Sequence, residues 1–444
     1  MSRMEKPRLT LLRIAELNVG FFGLQLSFGL VIANSSPIFR TLGASDATLP
    51  LLWLAGPVTG LVVQPIVGTL SDRTHSRFGR RTPYLLTGAL LATASLLAMP
   101  LAPALWVAVA LVWLLDIANN LMLEPYRASI ADRLAPPERA SGFLVQSAFT
   151  GLAQTLAHVL PWLLAALIDR QSTDANGIPV IVRVAFASGA LLTLTTILYS
   201  LVRVREGPLS AEQRAEQERA HPPGRNPLRE LGPALCNMPP AMRRLALPML
   251  CQWYAMFAFW QYFTEVVARS RFDGARPDSP AYREAILTAQ QLGAGYNFVA
   301  FLAALAMIPL ARLLHLHSLH ALCLALAGLS MIAIPYAPSP HALMIAMIGI
   351  GIGWAAMMGN NHGLLAPSLP AQSTGTYMGI FNLFIVIPML LESTTLPILY
   401  SYVLFRDPSR VLVFAGGLLL LAACATLPLA DGRTKLFLRR NRNG

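Results

Sequence analysis

Charge is what this chain has least of. Asp, Glu, Lys and Arg make up 13% of its 444 residues, about half the share that a water-facing surface normally carries. That scarcity excludes an ordinary soluble domain, and a mean hydropathy of +0.53 agrees. Cysteine is scarce too: Cys236, Cys251, Cys323 and Cys424 are too far apart to form a metal-ligand pair, and they read as small apolar thiols. No paired His/Glu metal motif, nucleophile with a base at helical spacing, or phosphate loop occurs, which argues against an enzyme, a metal site and a bound cofactor. The apolar runs lack the alternating period of a barrel wall. No small-residue cleavage site follows the basic residues 1–13, so no cleavable leader is expected.

What the chain has in abundance is apolar length. Runs of about twenty residues, enough to cross a hydrocarbon core as a helix, fall at 14–34, 48–70, 83–101, 104–124, 141–168, 181–202, 245–268, 285–311, 319–336, 341–363, 376–400 and 410–429. The longest break, 203–243, contains the polar run Glu212–Arg219 and several prolines. It reads as a cytoplasmic connector with a short surface helix, between an N-terminal bundle (1–202) and a C-terminal bundle with a basic tail (244–444). The formal charge of +12 does not indicate nucleic acid, because the cations sit in short loops beside the spans. With the N-terminus inside, inner segments hold 24 of the 34 Lys and Arg and outer loops 9, which predicts cytoplasmic termini. Gly56/Gly60 and Gly349/Gly353 are small-xxx-small pairs for close helix contact.

Ionisable residues within spans are costly, roughly 2.5–3.5 kcal/mol at a helix centre on insertion scales, and mark function. Asp116 lies deep in the fourth span. Asn119 and Asn120 follow within about one turn, and Arg127 about three turns on, all on neighbouring parts of one face. A carboxyl group there can exchange a proton and donate to a sugar hydroxyl when protonated; an ion pair with no substrate contact is the alternative. Gln25 in the first span, and Gln252, Trp253, Trp260, Gln261 and Glu265 in the seventh, offer amides, rings and an acid suited to a sugar. Glu124 reads as gating or solvated. Asn297, Asn360, Asn361, Asn382 and Glu392 are weaker candidates. His158 reads as a packing or helix-bonding residue, and His315, His317 and His320 as part of the inner basic belt.

The most specific stretch is Gly68-Thr-Leu-Ser-Asp72-Arg73-Thr-His-Ser-Arg77-Phe-Gly79-Arg80-Arg81-Thr-Pro83. Gly68 suits close helix contact, Asp72 can accept from arginines or a helix N-terminus, and Gly79 suits a sharp turn. The stretch resembles the loop motif of the major facilitator superfamily in its glycoside–cation symporter form. The resemblance extends to Trp53–Gly68, Gly23–Ser27, Leu115–Asn120 with Pro125–Asp132, and Gly375–Pro388, strong in the N-terminal half and patchy beyond it.

The resemblance implies an all-α integral membrane fold of twelve transmembrane helices in two pseudo-symmetric six-helix bundles. It implies proton-coupled uptake of an α-glucoside disaccharide, of maltose or sucrose type, by alternating access, with Asp116 as the proton site and Arg127 needed for transport. Gly68, Asp72, Arg73, Arg77, Gly79, Arg80 and Arg81 would form the gating loop. The expected partners are a small-molecule sugar and the lipid bilayer, the coupling ion H+, the membrane a bacterial inner membrane, and the working state a monomer. Three positions depart from the family pattern. Asp46 stands for a histidine of the first outer loop in plant sucrose carriers, Glu265 for an aspartate, and Met389 for a polar residue after Pro388. The rival readings are a sodium-coupled carrier, which would need acids on the second span, where none precedes Asp72, and a pigment-complex assembly factor, which has little use for the Asp116–Asn120 set.

Overall fold

The computed structural model describes residues 9–43, 55–164, 166–169, 172, 180–203, 206–207, 210–220, 228–272 and 280–427. Trp53, Asp46 and the basic tail lie outside them. Among the described residues the regular structure is helical, with no strand. Six long helices come first: α1 (Leu11–Thr41), α2 (Ala55–Arg73), α3 (Thr82–Ala98), α4 (Leu105–Arg133), α5 (Arg139–Leu164) and α6 (Val180–Arg203). Two short ones follow in the connector, α7 (Ala211–Ala220) and α8 (Leu228–Cys236). Six more long ones complete the chain: α9 (Pro240–Arg271), α10 (Pro280–Leu313), α11 (Leu316–Ala333), α12 (Pro340–Leu365), α13 (Thr374–Tyr402) and α14 (Pro408–Thr426).

Ten of these helices are long and apolar enough to span a bilayer. The two long helices below that mark, α2 and α9, carry polar side chains: Thr59 and Gln64 on one, and on the other the sequence candidates Gln252, Gln261 and Glu265. Helix starts follow local chemistry. Pro83 occupies the first turn of α3, where a missing N–H costs nothing. At α14 the Asp407 carboxylate accepts from the Ser409 N–H at 2.9 Å, with Pro408 at the first position, a standard N-cap.

The chain forms two compact units. The first comprises Met1–Gly142, Leu152–Pro239 and Ala366–Leu383, the second Phe143–Gly151, Pro240–Leu365 and Phe384–Gly444. In the first, α1 packs on α6, α3 on α4 and α6, and α2 on α4. In the second, α9 packs on α14, α11 on α12 and α14, and α10 on α12. The pairing is the same with each helix moved eight labels on, so the second set of six long helices repeats the first.

Small residues set these contacts, as lipid gives helices no hydrophobic reason to associate. An ideal Cβ on Gly23 would lie 2.8 Å from Thr193 Cα of α6. One on Gly351 would lie 2.5 Å from the Tyr296 carbonyl of α10. The pair Gly349 and Gly353 faces Ser330 and Ala327 of α11, as close packing requires.

Candidate functional site

The loop between α2 and α3 is held by a buried charge network. Asp72 is fully buried and takes the Arg81 guanidinium at 2.6 Å. It also accepts from the backbone N–H groups of Gly375 (3.0 Å) and Thr376 (2.7 Å) and from the Thr376 hydroxyl (2.9 Å). Those amides open α13, so the carboxylate caps a helix N-terminus, where negative charge is favoured. Gly68 brings α2 against the same turn: a Cβ there would lie 2.2 Å from the Gly375 carbonyl oxygen.

Arg81 is 1% exposed and reaches Asp132 at 3.0 Å as well as Asp72, and it donates to the Ser71 hydroxyl. Burial alone would lower its pKa, but the two carboxylates more than offset this and hold it above the ordinary arginine value. Arg80 pairs with Asp132 at 2.9 Å and donates to Gln217 of α7 at 3.2 Å. Arg77 lies over the Phe78 ring, 4.7 Å from its centroid. Arg73 closes α2 as its last residue.

Sequence reasoning missed Glu206, just past α6. Its carboxylate accepts from the N–H groups of Arg81 (2.7 Å) and Thr82 (3.2 Å) at the start of α3. Gly79 sits at φ +95°, and a Cβ there would strike Glu206 Cγ at 2.3 Å, so its turn needs glycine on both counts. Only an acid in an Arg-Glu-Gly-Pro break signalled Glu206.

The fourth-span residues form the second cluster. Asn120 donates to the Thr59 hydroxyl of α2 at 3.0 Å and to its own helix at Asp116 O (2.8 Å), and it accepts from Gln64. Asn119 accepts from the Ser27 hydroxyl of α1. The Asn119 Nδ2 and Gln64 Oε1 atoms are buried without a protein partner. Thr59, Gln64 and Ser27 thus join a site read at first from α4 alone. Asp116 forms no ion pair or hydrogen bond through its carboxyl group among the described residues. Its Oδ2 lies 3.9 Å from an ideal Cβ on Gly56, so this glycine leaves room beside it.

Arg127 is 5% exposed and pairs with Glu124 at 2.9 Å along α4. Glu124 is fully buried, which corrects the solvated reading: Pro125 does not end the helix, and both side chains stay inside. Gln25 is buried, and its carbonyl accepts from Gln154 at 3.4 Å. His158 bonds the Gln154 carbonyl one turn back at 2.7 Å, the helix-bonding role expected. Asn382 donates to the Gly60 carbonyl at 3.3 Å.

The second unit gathers the seventh-span candidates differently. Trp253 and Trp260 of α9 both meet Trp354 of α12 edge-on, with ring centroids 5.8 and 5.2 Å away. Trp260 donates to the Tyr296 hydroxyl at 3.1 Å. Gln261 donates to Glu392 at 3.0 Å, and Glu265 accepts from Tyr282. Gln252 is fully buried, with its amide held between Met249 and His320. His320 is itself fully buried, a correction to the basic-belt reading: α11 starts at Leu316, so His320 lies one turn inside and meets α9. Asn297 and Asn361 bond carbonyls one turn back, at 3.0 and 2.9 Å, and Asn360 rests against the Met307 sulfur. No metal-ligand group of three or more His, Cys, Asp or Glu occurs among the described residues.

A family profile described as Major Facilitator Superfamily matches residues 17–393. A sucrose transport protein of Oryza sativa subsp. indica is 27% identical over 285 residues, 57% of this chain and 51% of that one. The general alpha-glucoside permease of Schizosaccharomyces pombe is 30% identical over 173 residues, 35% and 31% of the two chains. This chain therefore spans about half or less of the length of these curated relatives. Among solved structures, the transporter FucP in its outward conformation superposes with a TM-score of 0.69 at 13% identity, over 93% of this chain and 97% of that one. The proton:xylose symporter XylE gives 0.63 at 18% identity, over 93% and 94%. At such identities the superpositions speak for the fold alone.

Proposed function

The chain belongs to the Major Facilitator Superfamily, a family of membrane transporters and not of enzymes, and on that premise we propose that it is a proton-coupled sugar symporter that takes up an α-glucoside disaccharide by alternating access. The observation that carries the reading is Asp116, an acid inside a membrane helix with no cation paired to it among the described residues. Around it stand hydroxyls and amides from α1, α2 and α4, two of whose polar atoms are buried and unpartnered. Unpaired buried polar atoms are costly, and a sugar hydroxyl or water would satisfy both. The printed names of the sucrose and alpha-glucoside relatives support the substrate class.

In this reading Asp116 takes up H+ and, once neutral, donates to the sugar. Asn120 is a positioning residue, its amide being committed to Thr59, Gln64 and α4. Gln25 and Asn119 are the further ligand contacts in the same unit; Gln261, Glu265 and the tryptophan ring faces of α9 are a separate set of candidate sugar contacts within the second unit. The Gly68–Arg81 network locks one end of the pathway, and Arg127 with Glu124 supports the coupling helix. The arginine excess of the connector and the α2–α3 loop supports a cytoplasmic position for that end.

One proton moving through 100 mV supplies ~2.3 kcal/mol, or about fifty-fold accumulation of sugar at ~1.4 kcal/mol per decade. The test is uptake by reconstituted protein of maltose, sucrose, trehalose and melibiose, with and without an imposed pH gradient. Asp116→Asn should abolish gradient-driven accumulation while leaving sugar exchange measurable. Uphill uptake with sugar-induced proton entry in Asp116→Asn would refute the coupling assignment.

A further inference from the structure

Glu392 has no place in the mechanism above, and its surroundings ask for one. It sits in the second half of α13 and is fully buried. Its Oε2 accepts from Gln261 of α9 at 3.0 Å and from the adjacent Ser393 hydroxyl at 3.4 Å. Its Oε1 is buried with no partner. Two further contacts fasten the same helices: the Tyr254 and Thr395 hydroxyls at 2.8 Å, and the Tyr262 and Tyr400 rings at 5.1 Å. The titratable groups that sense Glu392 from α9 are Tyr254 and Tyr262. No Lys, Arg or His among the described residues pairs with it.

An ionised carboxylate so enclosed would bear a desolvation cost of several kcal/mol with no cation to offset it. A neutral acid would bear far less, with its O–H on the oxygen that Gln261 does not hold. Gln261 and Ser393 are themselves exposed, so a small displacement of α9 from α13 uncovers the acid. Glu124 differs in its partner: that acid is equally buried but has Arg127 at 2.9 Å.

We propose that Glu392 is a second proton-binding carboxyl group of the transport cycle, protonated while Gln261 holds it enclosed and ionised when α9 and α13 part. The step is a plain acid–base exchange. Water delivers H+ to form the O–H bond on Oε1, and the same bond later breaks to return H+ to water and leave the carboxylate. The proposal rests on the proton-coupled reading above, and its test separates the two.

Infrared difference spectra of reconstituted wild type, taken as the pH is raised and as maltose is added, should show a protonated-carboxyl band that Glu392→Gln lacks. Gln261→Leu, which keeps the acid and removes its donor, should shift that band. Proton entry per maltose in Glu392→Gln should fall to about half, since one of two linked protons is gone. A spectrum in which Glu392→Gln retains every protonated-carboxyl band would overturn the proposal, as would a band that ignores both pH and the Gln261 change. If Asp116→Asn keeps sugar-driven proton entry while the Glu392 band behaves as stated, the Asp116 assignment falls and this one stands.

Discussion

In the first unit α2 reaches α3 through the eight residues 74–81, and that stretch brings Arg80 and Arg81 to Asp72 and Asp132. In the second unit the matching helices, α10 and α11, are joined by Leu314 and His315 alone. The helix pairing repeats, but the charge does not. The first unit ties Asp72, Asp132, Arg80 and Arg81 into one network and leaves Asp116 apart from it. In the second, α9 and α12 carry interlocked tryptophans, and Glu392 has no cation partner among the described residues. A duplicated scaffold can therefore differ between its copies, with one holding a buried charge network and the other presenting flat apolar rings.

That contrast can be broken by substitution, and the largest effect is expected at Asp72. Asp72→Ala leaves the α13 amides uncapped and removes one carboxylate from fully buried Arg81, a loss of about 3–5 kcal/mol for breaking a buried pair. It should appear as a large drop in the thermal midpoint of purified protein; a midpoint near wild type would show that the network does little for stability. Gly68→Ala forces a methyl group into the α13 backbone and should cost about 1–3 kcal/mol by overpacking. A glycine of α10 in open space gives the control: a Cβ on Gly293 meets nothing within 4 Å, so Gly293→Ala should be neutral or stabilising. Equal effects from the two would erase the distinction between the helices.

A double-mutant cycle on Trp260 and Trp354 should give a coupling of about 0.5–1.5 kcal/mol, the value of an aromatic pair beyond its buried area. His315→Ala, in the short loop that carries no network, should stay within about 0.5 kcal/mol of wild type in the same thermal assay. A greater loss there would give the second loop a role that its length and contacts do not suggest.

The helices were legible because a bilayer demands continuous apolar runs, and each of the twelve expected spans overlaps a long helix. The α2–α3 loop was legible because Gly79 needs its positive φ and Gly68 its close approach. Asp116 stood out because charge deep in such a run is expensive. Other features depended on contacts that no spacing records. Gln64 and Thr59 consume the Asn120 amide from another helix. Glu206 caps α3 from more than a hundred residues away. His320 looked like loop charge because the helix starts one turn earlier than the apolar run suggests. Glu392 was visible as an acid, but its pairing with Gln261 needed two helices brought side by side.

The doubled acids around Arg81 have a mechanical consequence. Suppose α13 withdraws from α2. Asp72 then loses the two amides and a hydroxyl that it caps, but it keeps Arg81, and Arg81 keeps Asp132. The latch separates at a seam of dipoles, whose exposed ends water can bind at once, and no ion is stranded. A catch built in this way can be stiff when closed and still release without a charge to rescue, which suits the gating role proposed for it.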